Sequence, residues 1–293
     1  MRYKNRKLKH VIYKNKFILG SYLAGLWEGD GSILMKPQQN FKPTINITFH
    51  KNQGVFAEKL LQTFSSQCKE KVGSIHYHKT RQACYLNIYS KGGLLNFINL
   101  VNGKLRTPKA SQIDVVINWL IKQGISVKKL PICSEPINKD AWLTGFIDAD
   151  GSFGIRQTFK RGKIKQQTEC ECILVQRMYY PKTGESYFEI FSKIGDYFCV
   201  KLNTLKARNP NALSQYRIKI SSAKSKKILR AYLDKFPLLS SKYLDYKAWS
   251  EVDDLMIKKH HYTDNGAIKI SKIKTSMNSR RINYDWSHLD FDL

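Results

Sequence analysis

Two acidic residues stand where a helix should disfavour them. The stretch DAWLTGFIDADGSF (140–153) opens with the three-and-four spacing of a buried stripe, Trp142, Leu143, Phe146 and Ile147, then closes on Asp148, Asp150 and Gly151. A helix carries partial negative charge at its C-terminus, so carboxylates in the last turn call for something positive beside them. Taken alone, the motif reads equally as two solvated acids at a frayed end, because the penalty is only about 0.3–1 kcal/mol. Gly151 reads as the left-handed residue that ends a helix. The pattern occurs twice, however. In GSYLAGLWEGDGSI (20–33), Leu23, Leu26 and Trp27 are apolar, Gly25 matches Gly145, Glu28 matches Asp148, Asp30 matches Asp150, and Gly31-Ser32 matches Gly151-Ser152. The copies lie 120 positions apart, Asp30 to Asp150. A repeat at that distance implies two similar lobes.

The elements behind each copy are alike. After the first acidic helix, SILMKPQQ and PTINITFHK read as strands joined by a loop, GVFAEKLLQTFSSQ as a helix, and GSIHYHKTR and ACYLNIYS as two more strands. GGLLNFINLV is helical, and KASQIDVVINWLIKQG reads as a long helix with Thr107 as N-cap and Pro108 as its first residue. ISVKKLPICSEPINK (125–139) has two prolines and no periodicity and reads as a linker. The order then repeats. SFGIRQTF and QQTECECILVQR form a hairpin around Lys160-Arg161-Gly162-Lys163, followed by a helix, a second hairpin of VKLNTLKA and SQYRIKIS, and two closing helices. The expected fold is therefore α+β, with two αββαββα lobes at 1–124 and 140–259 and a basic tail at 260–293 that has no clear periodicity.

Composition narrows the partner. The 293 residues carry 50 Lys and Arg against 23 Asp and Glu, a formal charge of +27, which selects a polyanion and nucleic acid first. No run reaches the roughly eighteen apolar residues of a membrane span, and MRYKNRKLKH lacks the apolar core of a secretory signal, so a soluble protein with a basic N-terminal arm is expected. The six cysteines lack paired zinc spacing and read as free, mostly buried thiols. His76 and His78 read as a surface or DNA-contacting pair in preference to a metal site.

Strand alternation separates two faces. Ile45, Ile47 and Phe49 point one way and Thr44, Asn46, Thr48 and His50 the other; Leu86 and Ile88 oppose Tyr85, Asn87 and Tyr89; Tyr216, Ile218 and Ile220 oppose Arg217 and Lys219. A solvated sheet would alternate similarly, but a polar, aromatic and cationic face in so basic a chain favours a ribbon lying in the major groove.

LAGLWEGDG and LTGFIDADG resemble the two motif copies of a single-chain LAGLIDADG homing endonuclease, and the resemblance extends over residues 17 to 259. It implies a pseudo-twofold monomer whose motif helices pack at the lobe interface, with antiparallel sheets forming a saddle on DNA. Gly25 with Gly29, and Gly145 with Ala149, offer the small-residue faces that such close packing needs. Packing along the last turns brings Asp30 and Asp150 together, where like charges and two negative helix ends repel; a hard divalent cation, Mg²⁺ or alternatively Mn²⁺, relieves this. The activity implied is metal-assisted cutting of both strands of a long, asymmetric duplex site to leave short 3′ overhangs, with Asp30 and Asp150 as metal ligands.

By the same resemblance a lysine near the start of each lobe's last helix assists, which points to Lys109, with Lys104 as competitor, and Lys242. Gln176 matches a glutamine often found at the end of the second strand, where the first lobe instead has Phe49; His50 is the substitute considered there. Glu28 and Asp148 are expected to be structural or cap-forming. Expected DNA contacts are Lys36, Gln38, Asn46, Thr48, Arg81, Tyr85, Asn87, Arg156, Gln157, Lys160, Lys165, Glu169, Glu171, Arg217 and Lys219. Arg and Lys would read guanine, Asn and Gln adenine, and the glutamates cytosine. An RNA-binding splicing helper for intron RNA and a non-cleaving DNA-binding regulator are the competing readings; both final aspartates favour cutting. Abundant Lys, Ile, Asn and Tyr suit an AT-rich organellar genome, a mitochondrion before a chloroplast.

Overall fold

The computed structural model describes residues 10–35, 41–65, 68, 70–159, 166–207 and 212–290. Its first lobe runs α1 (Lys16–Asp30), β1 (Gly31–Leu34), β2 (Thr44–His50), α2 (Gly54–Ser65), β3 (Gly73–Tyr77), β4 (Ala83–Ile88), α3 (Lys91–Val101) and α4 (Ile113–Lys122). The second repeats this with α5 (Trp142–Asp150), β5 (Gly151–Thr158), β6 (Gln167–Arg177), α6 (Phe188–Phe198), β7 (Asn203–Leu205), β8 (Gln215–Ile220), α7 (Ala223–Lys235) and α8 (Lys242–Ile257). Each lobe thus closes on two helices. A 3₁₀ turn, Pro108–Gln112, takes the first stretch expected to be α-helix, with Thr107 accepting from Lys109 N as its cap.

Both sheets are antiparallel and share one topology, β1-β2-β4-β3 and β5-β6-β8-β7. Registers correspond as well: Gly31 pairs Ile47 as Gly151 pairs Leu174. The alternation holds in three dimensions. Ile45, Ile47, Phe49, Leu86, Ile88, Ile218 and Ile220 are buried in the core, whereas Tyr85, Asn87, Arg217 and Lys219 lie on the opposite, partly exposed face.

The motif helices form the junction between lobes. Leu19 through Glu28 of α1 and Trp142 through Asp148 of α5 are buried on every side, so these helices sit inside the protein. Their contact depends on absent side chains: a Cβ at Gly25 would lie 1.9 Å from Trp142 O, one at Gly145 1.9 Å from Tyr22 O, and one at Gly29 2.2 Å from Ala149 Cβ. Gly151 differs from expectation, and Gly31 matches Gly151. Gly31 (φ −87°) and Gly151 (φ −76°) are extended, not left-handed, and lead straight into β1 and β5. Glycine is required there for space, since a Cβ at Gly31 would meet the Trp27 ring at 2.1 Å.

The tail folds back onto the protein. It contains α9 (Asp264–Thr275), against which Gln157 donates to Ala267 O at 2.8 Å. Beyond it, Asn278 donates to Phe153 O at 3.0 Å and Arg281 pairs with Asp245 at 2.6 Å, both in the second lobe. Tyr284 then accepts from Asn52 Nδ2 of the first lobe at 3.0 Å, and His288 Nε2 lies 3.0 Å from Leu239 O. The tail therefore straps one lobe to the other. No helix among the described residues is long and apolar enough to cross a membrane.

Candidate active site

The answer to the misplaced acids differs for the two acids of each motif. Glu28 is buried and accepts from Arg106 N (2.9 Å), Thr107 N (2.6 Å) and Thr107 Oγ1 (2.6 Å) of its own lobe, and from Trp142 Nε1 (2.6 Å) of the other. Asp148 does the same in mirror fashion: Leu239 N (2.8 Å), Ser240 N (3.1 Å) and the Ser240 hydroxyl donate from its own lobe, Tyr22 Oη (2.7 Å) from the other. These acids cap the turns that open each lobe's last helical segment. Burial raises both carboxyls, and the converging donors oppose that rise.

Asp30 and Asp150 have a different environment. A Cβ at Gly29 would lie 3.3 Å from Asp150 Oδ2, which places the Asp150 carboxylate against the end of α1. Asp150 is pushed up to about 6, by burial first and then by the charge of Asp30. Burial also raises Asp30, against the pull of Lys242 and Lys109.

The lysines supply the missing positive charge. Lys109 Nζ donates to Glu28 O and Gly29 O at 3.1 Å each, closing the C-terminus of α1, with the Trp27 ring centroid 5.4 Å away. Lys242 Nζ donates to Asp148 O at 2.8 Å and also to Ala149 O, closing α5. Cations on the orphan carbonyls of a helix end oppose its negative dipole. Burial lowers both ammoniums, Lys109 to about 8, while the aspartates hold them up. Lys104, the competitor, is elsewhere: it donates to Leu100 O at 2.6 Å and faces the Phe17 ring.

The halves are not identical. Gln176 Nε2 donates to Asp150 Oδ2 at 3.1 Å. At the matching register position Phe49 is buried against Phe56, and His50 is exposed and accepts from Asn52 N, so neither replaces the glutamine. Arg177, not anticipated from the sequence, follows Gln176 on the opposite strand face, and its charge lowers both Asp150 and Lys109. Its signal was the strand period itself, which carries the face of Glu169, Glu171, Ile173 and Val175 on to 177. Arg106 was missed too. Its guanidinium forms a 2.8 Å buried pair with Asp140 across the lobe junction.

The sheet faces sort the expected DNA contacts. In the first lobe Thr48 donates to Asn46 and Asn46 to Asn87 (3.1 and 2.8 Å), while Tyr85 stacks on His76 with centroids 6.3 Å apart. Arg81 occupies the β3–β4 turn, its N–H on His78 Nδ1 at 3.1 Å. In the second lobe Arg156, Glu169, Glu171, Arg217 and Lys219 share the face away from the core helices. Two expectations are corrected. Gln157 belongs to the core-side parity of β5, with Phe153 and Ile155, and is engaged by Ala267 O. Glu171 is 4% exposed and paired with Arg156 and Lys219, so it is not offered to a cytosine. Lys36, Gln38, Lys160 and Lys165 lie outside the described residues.

The six cysteines are free; Cys84, Cys170 and Cys172 are buried, and burial pushes the last two up to about 12. Among the described residues no three His, Cys, Asp or Glu side chains converge as a metal cage. The donor set at the junction is two carboxylates. That suits Mg²⁺, which takes one or two carboxylates and completes its shell with water and phosphate oxygens, and does not suit a protein-enclosed zinc or calcium site.

Fold and site together define a pseudo-twofold α+β protein with a carboxylate pair at its lobe junction and a polar sheet face on each side. The chain belongs to the LAGLIDADG endonuclease family, which it matches over residues 23–119 and again over 143–252. It is 27% identical to the intron-encoded DNA endonuclease aI3 of Saccharomyces cerevisiae, over 92% of this chain and 72% of that protein. It is also 27% identical to a cox1 intron-2 protein of Schizosaccharomyces pombe, over 90% of this chain and 74% of that one. The fold is that of the meganuclease I-SmaMI bound to uncleavable DNA (TM-score 0.71, 18% identity, 89% of this chain and 99% of that chain) and of I-AabMI bound to uncleaved DNA (TM-score 0.68, 21% identity, 88% and 99%).

Proposed function

We propose that the protein is a site-specific homing endonuclease that hydrolyses both strands of a long, asymmetric DNA duplex and leaves short 3′ overhangs. The observation that carries this is the pair Asp30 and Asp150 at the ends of two buried helices, where burial raises both carboxyls and the charge of Asp30 raises Asp150 further. A purely structural junction has no use for two opposed, desolvated carboxylates. Membership of an endonuclease family and relatives named as intron-encoded DNA endonucleases support the same reading.

Asp30 and Asp150 would hold Mg²⁺ or Mn²⁺, which when bound supplies an activated water and charge stabilisation at the scissile phosphate. The residues around them do the rest. Lys109 and Lys242, fixed on backbone carbonyls, keep positive charge beside the carboxylates and present it to the developing phosphorane charge. Gln176 orients Asp150 by donating to its Oδ2. The cationic and amide side chains of the two sheet faces bind the duplex, phosphates for affinity and base edges for sequence. The gene is assigned to an organellar intron, a mitochondrion before a chloroplast, in keeping with intron-encoded relatives and AT-rich-type composition.

A second activity, assistance to intron RNA splicing, rests on 28% identity over 63% of this chain to the intron-encoded RNA maturase bI4 of Saccharomyces cerevisiae, of which 26% is covered. The deciding experiment is incubation of purified protein and Mg²⁺ with a randomised duplex library, sequencing the cut ends. One long consensus cut in both strands with 3′ overhangs is expected; binding without cutting under any divalent ion would transfer the function to RNA or to regulation.

A further inference from the structure

A carboxylate almost out of water is anomalous on a surface meant for a polyanion. Glu171 lies on the outward parity of β6, yet it is 4% exposed. It pairs in register with Gly154 of β5, and the absent Cβ gives its side chain room, since one built there would lie 3.2 Å from Glu171 Cγ. Its two oxygens take two cations: Oε1 is 3.0 Å from Arg156 Nε, and Oε2 is 2.9 Å from Lys219 Nζ of β8. Lys219 reaches Glu169 as well, at 2.5 Å, and that contact lowers the Glu169 carboxyl and raises the ammonium.

The tether is made through Nε. It is an ion pair at 3.0 Å, on an arginine side chain that is 64% exposed. A largely exposed guanidinium held near a buried carboxylate through its Nε has the two terminal nitrogens to offer as a fork to the O6 and N7 acceptors of guanine in the major groove. Fixing the arginine before binding also removes rotamer entropy that a free side chain would lose in the complex. Among the described residues the first lobe has no such device: Thr44 stands at the position matching Glu171 and the neighbouring face carries the neutral Thr48, Asn46, Asn87 ladder.

We infer that Glu171 is a positioning residue for sequence reading: it holds Arg156 as a guanine-reading fork, with Lys219 beside it, in the half-site bound by the second lobe. This rests on the endonuclease reading above. The test is equilibrium selection of bound duplexes from a randomised pool in Ca²⁺, followed by competition with single base changes, for the intact protein, Arg156→Ala and Glu171→Gln. The intact protein should require guanine at one or two adjacent positions on one side of its site. Arg156→Ala should abolish that requirement, and Glu171→Gln should weaken it about tenfold while other positions move less than about twofold. Arg156 is too exposed for its loss to unfold the chain, so it remains informative if Glu171→Gln is destabilised. Uniform weakening at every position in Glu171→Gln, or guanine positions indifferent to Arg156→Ala, overturns the positioning role alone. If no duplex is selected by the intact protein, the endonuclease reading falls and the inference with it.

Discussion

Tyr22 of one motif helix donates to Asp148 of the other at 2.7 Å, and its counterpart Trp142 returns the bond to Glu28 at 2.6 Å. The lobes are thus latched by two reciprocal hydrogen bonds to buried carboxylates, one on each side of the glycine contact. Hydrogen bonds to charged groups are worth about 1.5–3 kcal/mol, and a buried acceptor that loses one is left partly unsatisfied. Tyr22→Phe should therefore lower unfolding free energy by about 1–3 kcal/mol in urea titration. Combined with Asp148→Asn it should lose less than the sum of the two single changes, because both remove the same bond. Strict additivity would mean that the latch carries no energy.

The raised pKa of Asp150 gives stability a pH signature. Between the ordinary carboxylate range near 4 and about 6, the folded chain keeps a proton that the unfolded chain has released. This group's stabilising contribution is thus full at low pH and fades as pH rises through that window. Asp150→Asn should raise the thermal midpoint at pH 7.5 by the equivalent of about 1–3 kcal/mol, with little gain at pH 4. Mg²⁺ should stabilise the unaltered protein more at pH 7.5 than at pH 5. A lowered midpoint for Asp150→Asn at pH 7.5 would show that the carboxylates support each other.

Gln176 against Phe49 makes the two halves of the centre chemically unequal. With strand-specific end labels, Gln176→Ala should slow one strand at least about tenfold more than the other, a difference of roughly 1.4 kcal/mol in barrier. Equal slowing of both strands would show that the glutamine serves the centre as a whole.

Arg281 should matter more than its neighbour Arg280. The Arg281–Asp245 pair is nearly buried at 2.6 Å, whereas Arg280 is exposed. Arg281→Ala should cost about 2–4 kcal/mol in thermal or urea unfolding by stranding Asp245, and Arg280→Ala less than about 0.5 kcal/mol. Matching effects would mean that the tail strap is loosely held.

The repeat, the sheet faces and the identity of the central acids were legible because they depend on local periodicity and on residues close in the chain. Lys109 and Lys242 were placed by resemblance, and the structure adds what they do, which is to close the C-termini of the motif helices. Three features were hidden for physical reasons. Trp142 and Tyr22 read as core aromatics because a single polar atom on a large apolar ring leaves no mark on the pattern. Gly151 was misread as a left-handed cap because sequence does not distinguish a glycine needed for dihedral freedom from one needed for space. The tail eluded periodicity since it docks through scattered side chains, Asn278, Arg281, Tyr284 and His288, and among its described residues has a single α-helix.

Asp30 and Asp150 together are proposed to form a metal-dependent cleavage centre. That role is tested most directly by cutting of the selected target with Mg²⁺ by the intact protein, Asp30→Asn and Asp150→Asn, each first shown to bind that target. Either substitution should abolish double-strand cutting while binding is kept. Undiminished cutting by either variant would contradict that role.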